Sequence, residues 1–327
     1  MKLGVLFPGQ GSQFVGMGAD LFEARPDLLG DAVDDVLGWS LKDTCLGGPL
    51  EVLTETDRAQ PALYALSYAL WEETRDRIPQ PLAAAGHSLG EYTALAAAGI
   101  IDYLGGLELV ARRGAAMADA AALEPSGMAA LLGAEEETAE KVAAIRQEGG
   151  GRLSVANLNA PGQVVVAGGI TDLDWLEENA RSLGVRRAIR LNVAGAFHSP
   201  FMAPAEAAVH EAASSTIFDD GAFPVYANVS AAPFEASQGA DLLASQVVSP
   251  VRFQESLVSM GKAGVDVFIH LGPGDVTAKM AKRSVPGSDV FVVSELGDID
   301  TLVESLGTMS CEVPNDSEAP DDSTEPT

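Results

Sequence analysis

The chain has 327 residues, 47% of them hydrophobic, and a formal net charge of −27 at pH 7, so it can build a globular core but is a poor candidate for nucleic-acid binding. No apolar run reaches 18 residues, so we expect no membrane-spanning helix and no membrane partner. The two cysteines, Cys45 and Cys311, suit neither a disulfide framework nor a metal site, which favours a reducing cytoplasm.

The first predicted element is a buried strand from Gly4 to Phe7, which is too short for a secretory signal peptide and has no cleavage site after it. It runs into a turn at residues 8–12, with the sequence Pro-Gly-Gln-Gly-Ser. The third glycine of a dinucleotide-binding loop would fall at position 14, which is Phe14, so that interpretation fails. Such a turn could instead present the Gln10 N–H group to an oxyanion.

The next elements surround a serine. Pro61 is predicted to stand at the first position of an apolar helix, and an apolar strand follows at residues 82–85. The pattern Gly86-x-Ser88-x-Gly90 comes next, followed by an alanine-rich helix. This order is typical of a nucleophile elbow, in which the N–H groups at the helix start stabilise a developing negative charge. The alternative is a serine in an ordinary glycine-rich loop.

Two adjacent arginines, Arg112 and Arg113, lie on a predicted helix from Gly105 to Ala122 whose interior is otherwise Ala, Leu and Met. Arginines in such a helix are commonly solvated. The alternative is a guanidinium that anchors a substrate carboxylate through two parallel hydrogen bonds. The residues alone leave both interpretations open.

Residues 124–193 are predicted to form a separate unit of strand, helix, strand, strand, helix and strand. The predicted bounds of these elements are 128–132, 135–147, 153–156, 163–167, 173–183 and 187–191. A Pro-Gly pair at 161–162 makes the turn between the middle strands. The order is that of the split, ferredoxin-like motif.

The flanking segments, 1–123 and 194–310, are predicted to form one discontinuous α/β domain, with later strands at 222–228 and 265–271. Residues 311–327 are dominated by Asp, Glu, Ser and Pro. They are predicted to be a disordered tail, because they offer too little apolar surface for a packed core.

A serine nucleophile needs a base, and the chain has four histidines. His87 adjoins the serine and is expected to point away from it in a tight turn. His210 lies among alanines and acids on a helix and is expected at the surface, whereas His270 ends an apolar strand and is expected in the core. His198 remains as the predicted base, since it lies in a loop just after the inserted unit, where catalytic groups collect.

Eight short stretches together resemble the malonyl-CoA:acyl carrier protein transacylases and the related acyltransferase domains of polyketide synthases. They are residues 7–13 (FPGQGSQ), 60–63 (QPAL), 86–92 (GHSLGEY), 113–114 (RG), 159–163 (NAPGQ), 195–199 (GAFHS), 249–251 (SPV) and 271–274 (LGPG). The stretches follow the family's order over residues 3–306 and are jointly specific.

The resemblance implies an α/β-hydrolase-like large domain with a ferredoxin-like insertion, in agreement with the predicted strand order. It also implies an S-malonyltransferase of fatty-acid biosynthesis in the cytoplasm. Malonyl would pass from malonyl-CoA to Ser88 and then, in a ping-pong reaction, to the phosphopantetheine thiol of an acyl carrier protein. We expect a monomer without metal or resident cofactor, malonyl-CoA being a substrate.

The resemblance also assigns roles to residues. Ser88 would be the nucleophile and His198 its base, and the backbone N–H groups of Gln10 and Leu89 would form the oxyanion hole. Arg113 would bind the malonyl carboxylate.

Two further residues gain a role from the resemblance. The backbone carbonyl of Gln246 would take the third triad position and orient His198. Phe197, directly before the histidine, resembles the malonyl-selective version of that loop.

Carrier proteins of this kind are acidic, so this acidic chain needs a local basic patch to bind one. One candidate is a group with helical i, i+3, i+4 spacing, formed by Lys279, Lys282 and Arg283. A second is the group that closes the inserted unit, formed by Arg186, Arg187 and Arg190.

Asp275 departs from the neutral or basic residue expected near the entrance. The overall charge reflects either an ordinary solvated surface or a salt-rich cytoplasm that screens it.

Three other interpretations remain to be weighed. A serine esterase or thioesterase would share the elbow, but such enzymes usually place Asp or Glu between Ser and a late His, whereas His198 is mid-chain. A non-catalytic carrier-binding module is disfavoured by the presence of Ser88, His198 and Arg113 together. A stand-alone acyltransferase of a polyketide pathway stays open.

Overall fold

The computed structural model describes residues 1–311. Its strands are β1 (Leu3–Phe7), β2 (Ala83–Gly86), β3 (Ser126–Leu132), β4 (Leu153–Ala160), β5 (Gln163–Gly169), β6 (Arg187–Arg190), β7 (Val225–Tyr226), β8 (Val267–Leu271) and β9 (Asp289–Val293). Its α-helices are α1 (Ala19–Ala24), α2 (Pro26–Leu29), α3 (Asp31–Leu37), α4 (Leu41–Gly47), α5 (Leu50–Thr54), α6 (Thr56–Thr74), α7 (Gly90–Ala97), α8 (Tyr103–Leu123), α9 (Glu136–Glu148), α10 (Ile170–Asn179), α11 (Ala203–Ser214), α12 (Gly239–Val248), α13 (Phe253–Lys262), α14 (Val276–Ser284) and α15 (Gly297–Cys311).

Five strands form a parallel sheet in the order β7-β2-β1-β8-β9. Every residue of the central strand β1 is buried, as expected where helices cover both faces of a parallel sheet. Phe7 at the end of β1 pairs in register with Gly86 at the end of β2. Because parallel strands end at the same edge, the turn at residues 8–12 and the Ser88 turn lie side by side.

The other four strands form a separate antiparallel sheet in the order β4-β5-β3-β6. All six elements predicted for residues 124–193 are formed, with shifted ends. The sheet has an apolar core of its own, in which Leu131, Leu158 and Val166 from the strands pack with Val142 of α9 and Leu176 of α10. The protein is therefore a mixed α/β structure with one parallel and one antiparallel sheet.

The two sheets are joined by a shared apolar cluster. It contains Met117 of α8, Met128 of β3 and Phe197 of the loop that carries His198, named here the histidine loop. Backbone hydrogen bonds add to the junction, since Val251 N–H donates to the Ala156 carbonyl at 2.9 Å. Residues from both sheet regions therefore form the walls of the groove between the sheets.

One predicted helix start is wrong. Pro61 lies inside α6, which begins at Thr56. An interior proline loses one backbone hydrogen bond. The helix nevertheless continues through it, and Pro61 is buried in the core together with its neighbours Gln60 and Ala62.

Two other predicted bounds also differ. The strand predicted at 222–228 is reduced to Val225–Tyr226, where β7 pairs with β2. Cys311, the first residue of the predicted tail, is the last residue of α15, and residues 312–327 lie outside the described range. Within residues 1–311 no helix is both long and apolar enough to cross a membrane.

Candidate active site

Ser88 occupies the turn between β2 and α7, as predicted for a nucleophile elbow. Its φ angle is 52°, in the left-handed region that a side chain other than glycine seldom adopts. The Ser88 N–H donates to Asn228 Oδ1 at 2.7 Å, which helps to hold this conformation. The turn therefore projects the serine hydroxyl from a fixed backbone.

The two glycines of the motif allow the turn to pack closely. A Cβ atom at Gly86 would lie 1.8 Å from the carbonyl carbon of Gly90. A Cβ atom at Gly90 would lie 2.3 Å from the Phe7 carbonyl oxygen at the end of β1. A larger residue would therefore clash inside the turn at position 86 and with the end of β1 at position 90, so both positions need glycine.

His198 reaches Ser88 from the loop that follows the antiparallel sheet. Its Nε2 atom lies 2.7 Å from Ser88 Oγ, and its Nδ1 atom lies 2.8 Å from the backbone oxygen of Gln246. A carbonyl oxygen can only accept a hydrogen bond, so Nδ1 carries the proton and Nε2 is free to accept one from the serine. The hydrogen bond to the Gln246 carbonyl therefore fixes the His198 tautomer that can act as a base.

The imidazole is neutral in this site. Burial, followed by the nearby positive charge of Arg113, lowers the pKa of His198 to about 3. The ring therefore carries no proton on Nε2 at neutral pH and can take one from Ser88.

Arg113 is fully buried on α8 and reaches the same hydroxyl. Its Nη2 atom donates to Ser88 Oγ at 3.0 Å and to Gln246 Oε1 at 2.8 Å, and Nη1 donates to Gln60 Oε1 at 2.6 Å. All three acceptors are neutral, so the positive charge beside the nucleophile remains available to an incoming anion. The adjacent Arg112 is exposed and pairs with Glu108 at 2.6 Å, so Arg112 is the solvated arginine of the two and Arg113 the buried one.

A cavity of about 340 Å³ opens onto these groups. One wall comes from the turns after β1 and β2, including Gln10 and Leu89, together with Phe197 of the histidine loop. The opposite wall comes from the antiparallel sheet, including Met128 and Val165. The cavity is of a size to hold a small acyl group, with polar reacting groups at one side and apolar walls around them.

Residues 5–301 match the family described as "Acyl transferase domain". The chain belongs to this family.

Individual relatives agree with that assignment. The chain is 38% identical over 308 residues to the malonyl CoA-acyl carrier protein transacylase of Bacillus subtilis, covering 93% of this chain and 97% of the relative. The crystal structure of an acyl-carrier-protein-S-malonyltransferase from Bartonella henselae is 35% identical, with a TM-score of 0.88 over 94% of this chain and 100% of that one. A malonyl-transacylase solved with a type II polyketide acyl-carrier protein is 32% identical, with a TM-score of 0.87 over 93% of this chain and 100% of that one.

The other three histidines of this acyl transferase domain lie away from the serine hydroxyl, as predicted. His87 Nε2 bonds Asn159 Oδ1 at 2.7 Å. His210 is exposed and lies 3.1 Å from Asp241. His270 is buried and bonded to Thr277, and burial lowers its pKa to about 4.

Sequence reasoning missed two buried polar residues of the acyl transferase site, Glu91 and Asn228. Asn228 accepts the Ser88 N–H and donates to the Gly86 carbonyl at 2.7 Å, so it ties the nucleophile turn to the segment that follows β7. Glu91 accepts hydrogen bonds from Gln246 Nε2 at 2.5 Å and from the Asn228 N–H at 3.2 Å. The sequence holds a signal for Glu91, because it is the one charged residue on the otherwise Gly, Ala, Leu, Thr and Tyr helix α7.

Proposed function

We propose that the protein transfers malonyl from malonyl-CoA to the phosphopantetheine thiol of an acyl carrier protein through a malonyl ester of Ser88. The observation that carries this proposal is the pair of contacts at Ser88 Oγ, with His198 Nε2 at 2.7 Å and Arg113 Nη2 at 3.0 Å. A base and a buried cation therefore meet at one nucleophile. That combination suits an acyl group with a carboxylate at its far end.

The acylation step uses the neutral histidine. The Ser88 proton passes to His198 Nε2 as Oγ attacks the thioester carbonyl, and the Gln246 carbonyl accepts from Nδ1–H throughout. Negative charge develops on the carbonyl oxygen, which we place at the N–H groups of Gln10 and Leu89 on the cavity wall. Coenzyme A leaves as its sulfur takes the proton from His198, which leaves the serine ester and a neutral imidazole.

The second step repeats the first with a different thiol. The carrier's phosphopantetheine thiol gives its proton to His198 and attacks the ester, so malonyl leaves on the carrier and Ser88 recovers its hydrogen. The malonyl-transacylase solved with a polyketide carrier supports a carrier protein as the second partner. We assign this partner to fatty-acid synthesis, with a polyketide carrier as the alternative, and relative kcat/KM on the two carriers separates them.

Selectivity for malonyl would come from Arg113, whose guanidinium can form two parallel hydrogen bonds to a carboxylate. Phe197 supports the same assignment, since this aromatic side chain is 6% exposed and lines the cavity together with His198.

The proposed architecture follows the same division. We assign residues 1–123 and 194–310 to an α/β-hydrolase-like domain and residues 124–193 to a ferredoxin-like subdomain. The strand order β4-β5-β3-β6 with its two helices supports the second assignment. The parallel sheet with the serine turn after β2 supports the first.

The function is tested by intact mass after mixing with malonyl-CoA. The parent chain should gain one malonyl group on Ser88, and Ser88→Ala should gain none while keeping its fold, because the change removes only a hydroxyl from a turn shaped by glycines. Release of the malonyl group to a carrier thiol faster than to water completes the test. An adduct that persists in Ser88→Ala would remove this serine from the reaction, and rapid loss to water alone would make the protein a hydrolase.

We further propose that an acidic carrier docks on the basic face of α14, formed by Lys279, Lys282 and Arg283. These three residues line a surface depression that shares Gln163, Val276 and Met280 with the cavity above Ser88. The positive charges that would attract an acidic carrier therefore lie where its phosphopantetheine arm would enter the cavity.

The neighbouring charges sharpen this assignment. Asp275 forms an i, i+4 pair with Lys279 at 2.7 Å, which neutralises the acid that departs from the family pattern. In the second basic group, Arg190 is held by Asp174 and Glu177 of α10. Each group thus has one cation held by acids, and the α14 face is the better candidate because its depression adjoins the cavity above Ser88.

Reversing both lysines, Lys279→Glu with Lys282→Glu, should raise the KM for the carrier severalfold at low salt, mainly through slower association. Acylation by malonyl-CoA should change little. The matched control is Lys141→Glu, because Lys141 is also exposed and also pairs with an acid one turn earlier. If the double variant transfers to the carrier as fast as the parent at low salt, α14 is not the docking face.

A further inference from the structure

Glu91 is a buried carboxylate that the proposed reaction does not use. It lies in the first turn of α7, directly after the nucleophile turn, and is 1% exposed. Burying a carboxyl group in such a place is costly unless its bonds are satisfied. Its partners are therefore informative about why it is there.

Both hydrogen bonds given above for Glu91 reach the same oxygen, Oε2. A carboxylate oxygen only accepts, so the Gln246 side chain must present its NH₂ group to Glu91 and its oxygen to the opposite side. On that side Arg113 Nη2 donates to Gln246 Oε1. The amide of Gln246 thus connects one buried anion to one buried cation in a fixed direction.

The same glutamine also holds the nucleophile and the base. Its Nε2 atom donates to the Ser88 carbonyl at 2.9 Å, and its backbone oxygen accepts from His198 Nδ1. An acceptor at Glu91 therefore positions a residue that contacts Ser88, His198 and Arg113. A proton on Oε1 leaves this arrangement intact, because both bonds use Oε2.

A proton on Glu91 changes the net charge of the buried site. In the free site, the buried charges of Arg113 and an ionised Glu91 sum to zero. A malonyl carboxylate that enters the site adds a second negative charge to the same buried network. Protonation of Glu91 restores neutrality, so entry of the acyl carboxylate and uptake of a proton by Glu91 favour each other.

We propose that Glu91 is a positioning residue that sets the acyl specificity of the site, by holding the Gln246 amide through Oε2 and by taking up a proton when an acyl carboxylate binds Arg113. This inference rests on the proposed function.

Burial raises the pKa of Glu91 to about 7, with the bonds from Gln246 and Asn228 and the charge of Arg113 opposing that rise. Arg113 on α8 and Tyr92, its neighbour on α7, both interact electrostatically with Glu91. Burial raises the pKa of Tyr92 as well, so that phenol stays neutral near pH 7. Glu91 should therefore change its protonation on binding of the acyl carboxylate within the pH range in which the enzyme can be assayed.

The test compares proton uptake on acylation by malonyl-CoA and by acetyl-CoA, measured with an indicator dye in weak buffer. Both reactions release the same thiol, so the difference reports the acyl carboxylate alone. At pH 8 the parent should take up about half a proton or more per site with malonyl-CoA beyond acetyl-CoA, since Glu91 is mostly ionised before binding. Glu91→Gln, which keeps an acceptor oxygen and cannot titrate, should take up none.

A second readout is the malonyl-over-acetyl ratio of kcat/KM. In the parent it should fall severalfold from pH 6.5 to 8.5, as ionised Glu91 opposes the acyl carboxylate, and in Glu91→Gln it should stay flat. Asp172→Asn is the matched control, because Asp172 is a buried carboxylate of the antiparallel-sheet region, and it should keep the parent's slope.

Equal proton uptake with both thioesters in the parent would overturn the proposal even if Glu91→Gln failed to fold. A slope that persists unchanged in Glu91→Gln would also overturn it. If the parent forms no malonyl ester at all, the proposed function fails instead, and intact mass identifies that case before any proton is counted.

Discussion

The parallel-sheet region and the antiparallel-sheet region contribute different things to one cavity. The side chains bonded to Ser88 Oγ, which belong to His198 and Arg113, come from the first region and are bonded in turn to Gln246. The second region supplies wall residues such as Met128 and Val165. The polar network beside Ser88 thus belongs to the first region, and the second region completes the cavity with apolar wall residues.

Each region also buries a carboxylate, and the two are held differently. Asp172 of the antiparallel region forms a direct ion pair with Arg146 at 2.6 Å and accepts the Arg152 N–H at 3.1 Å. Glu91 has only neutral donors in contact and meets Arg113 through an amide. The Asp172 pair is direct, whereas an amide separates Glu91 from the guanidinium of Arg113, to which we assign the acyl carboxylate.

Among substitutions in the two regions, His198→Ala should have the largest effect on the reaction, because it removes the base. Acylation should slow on the order of a thousandfold, because an unassisted serine hydroxyl is a poor nucleophile at neutral pH. Stopped-flow release of coenzyme A measures the rate. His210→Ala, at the exposed histidine, is the control, and an equal loss in His87→Ala with the fold intact would mean that the wrong histidine has been assigned.

Arg113→Ala should shift preference from malonyl toward acetyl by about 2–5 kcal/mol, because the acyl carboxylate loses its partner in a buried site. Arg113→Lys should restore only part of the preference, since an ammonium cannot form two parallel bonds. Competition between malonyl-CoA and acetyl-CoA gives the ratio. Arg112→Ala is the adjacent exposed control, and unchanged selectivity in Arg113→Ala would exclude this arginine from acyl recognition.

The smallest expected effect tests the other region. Asp172→Asn should lower the free energy of unfolding by about 1–3 kcal/mol, because Arg146 loses its charged partner in a mostly buried place. The malonyl-over-acetyl ratio should not change. Denaturant unfolding measures the first and competition the second. Glu137→Gln, at an exposed pair, should alter stability little, and a change in acyl selectivity in Asp172→Asn would show that the regions are not separable as described.

Much of this site could be predicted from local sequence. The serine turn depends on residues within a few positions of each other, because only glycine fits where Gly86 and Gly90 touch neighbouring backbone. The six elements of residues 124–193 were readable for a similar reason, since strand and helix periodicity is local. Pro61 misled the prediction because proline is favoured at a helix start, while packing of α6 in the core continued the helix on both sides of it.

The sequence by itself determined the serine turn, the order of the six elements in residues 124–193 and, by elimination, the histidine. Only the tertiary structure decided which of Arg112 and Arg113 is buried, because two neighbours on one helix have the same local surroundings and differ only in which face is covered. It also decided the contacts of Glu91 and Asn228, which lie 137 residues apart in the chain and bond each other beside the nucleophile turn. Burial and hydrogen bonding between distant segments are set when the chain packs, so no local pattern encodes them.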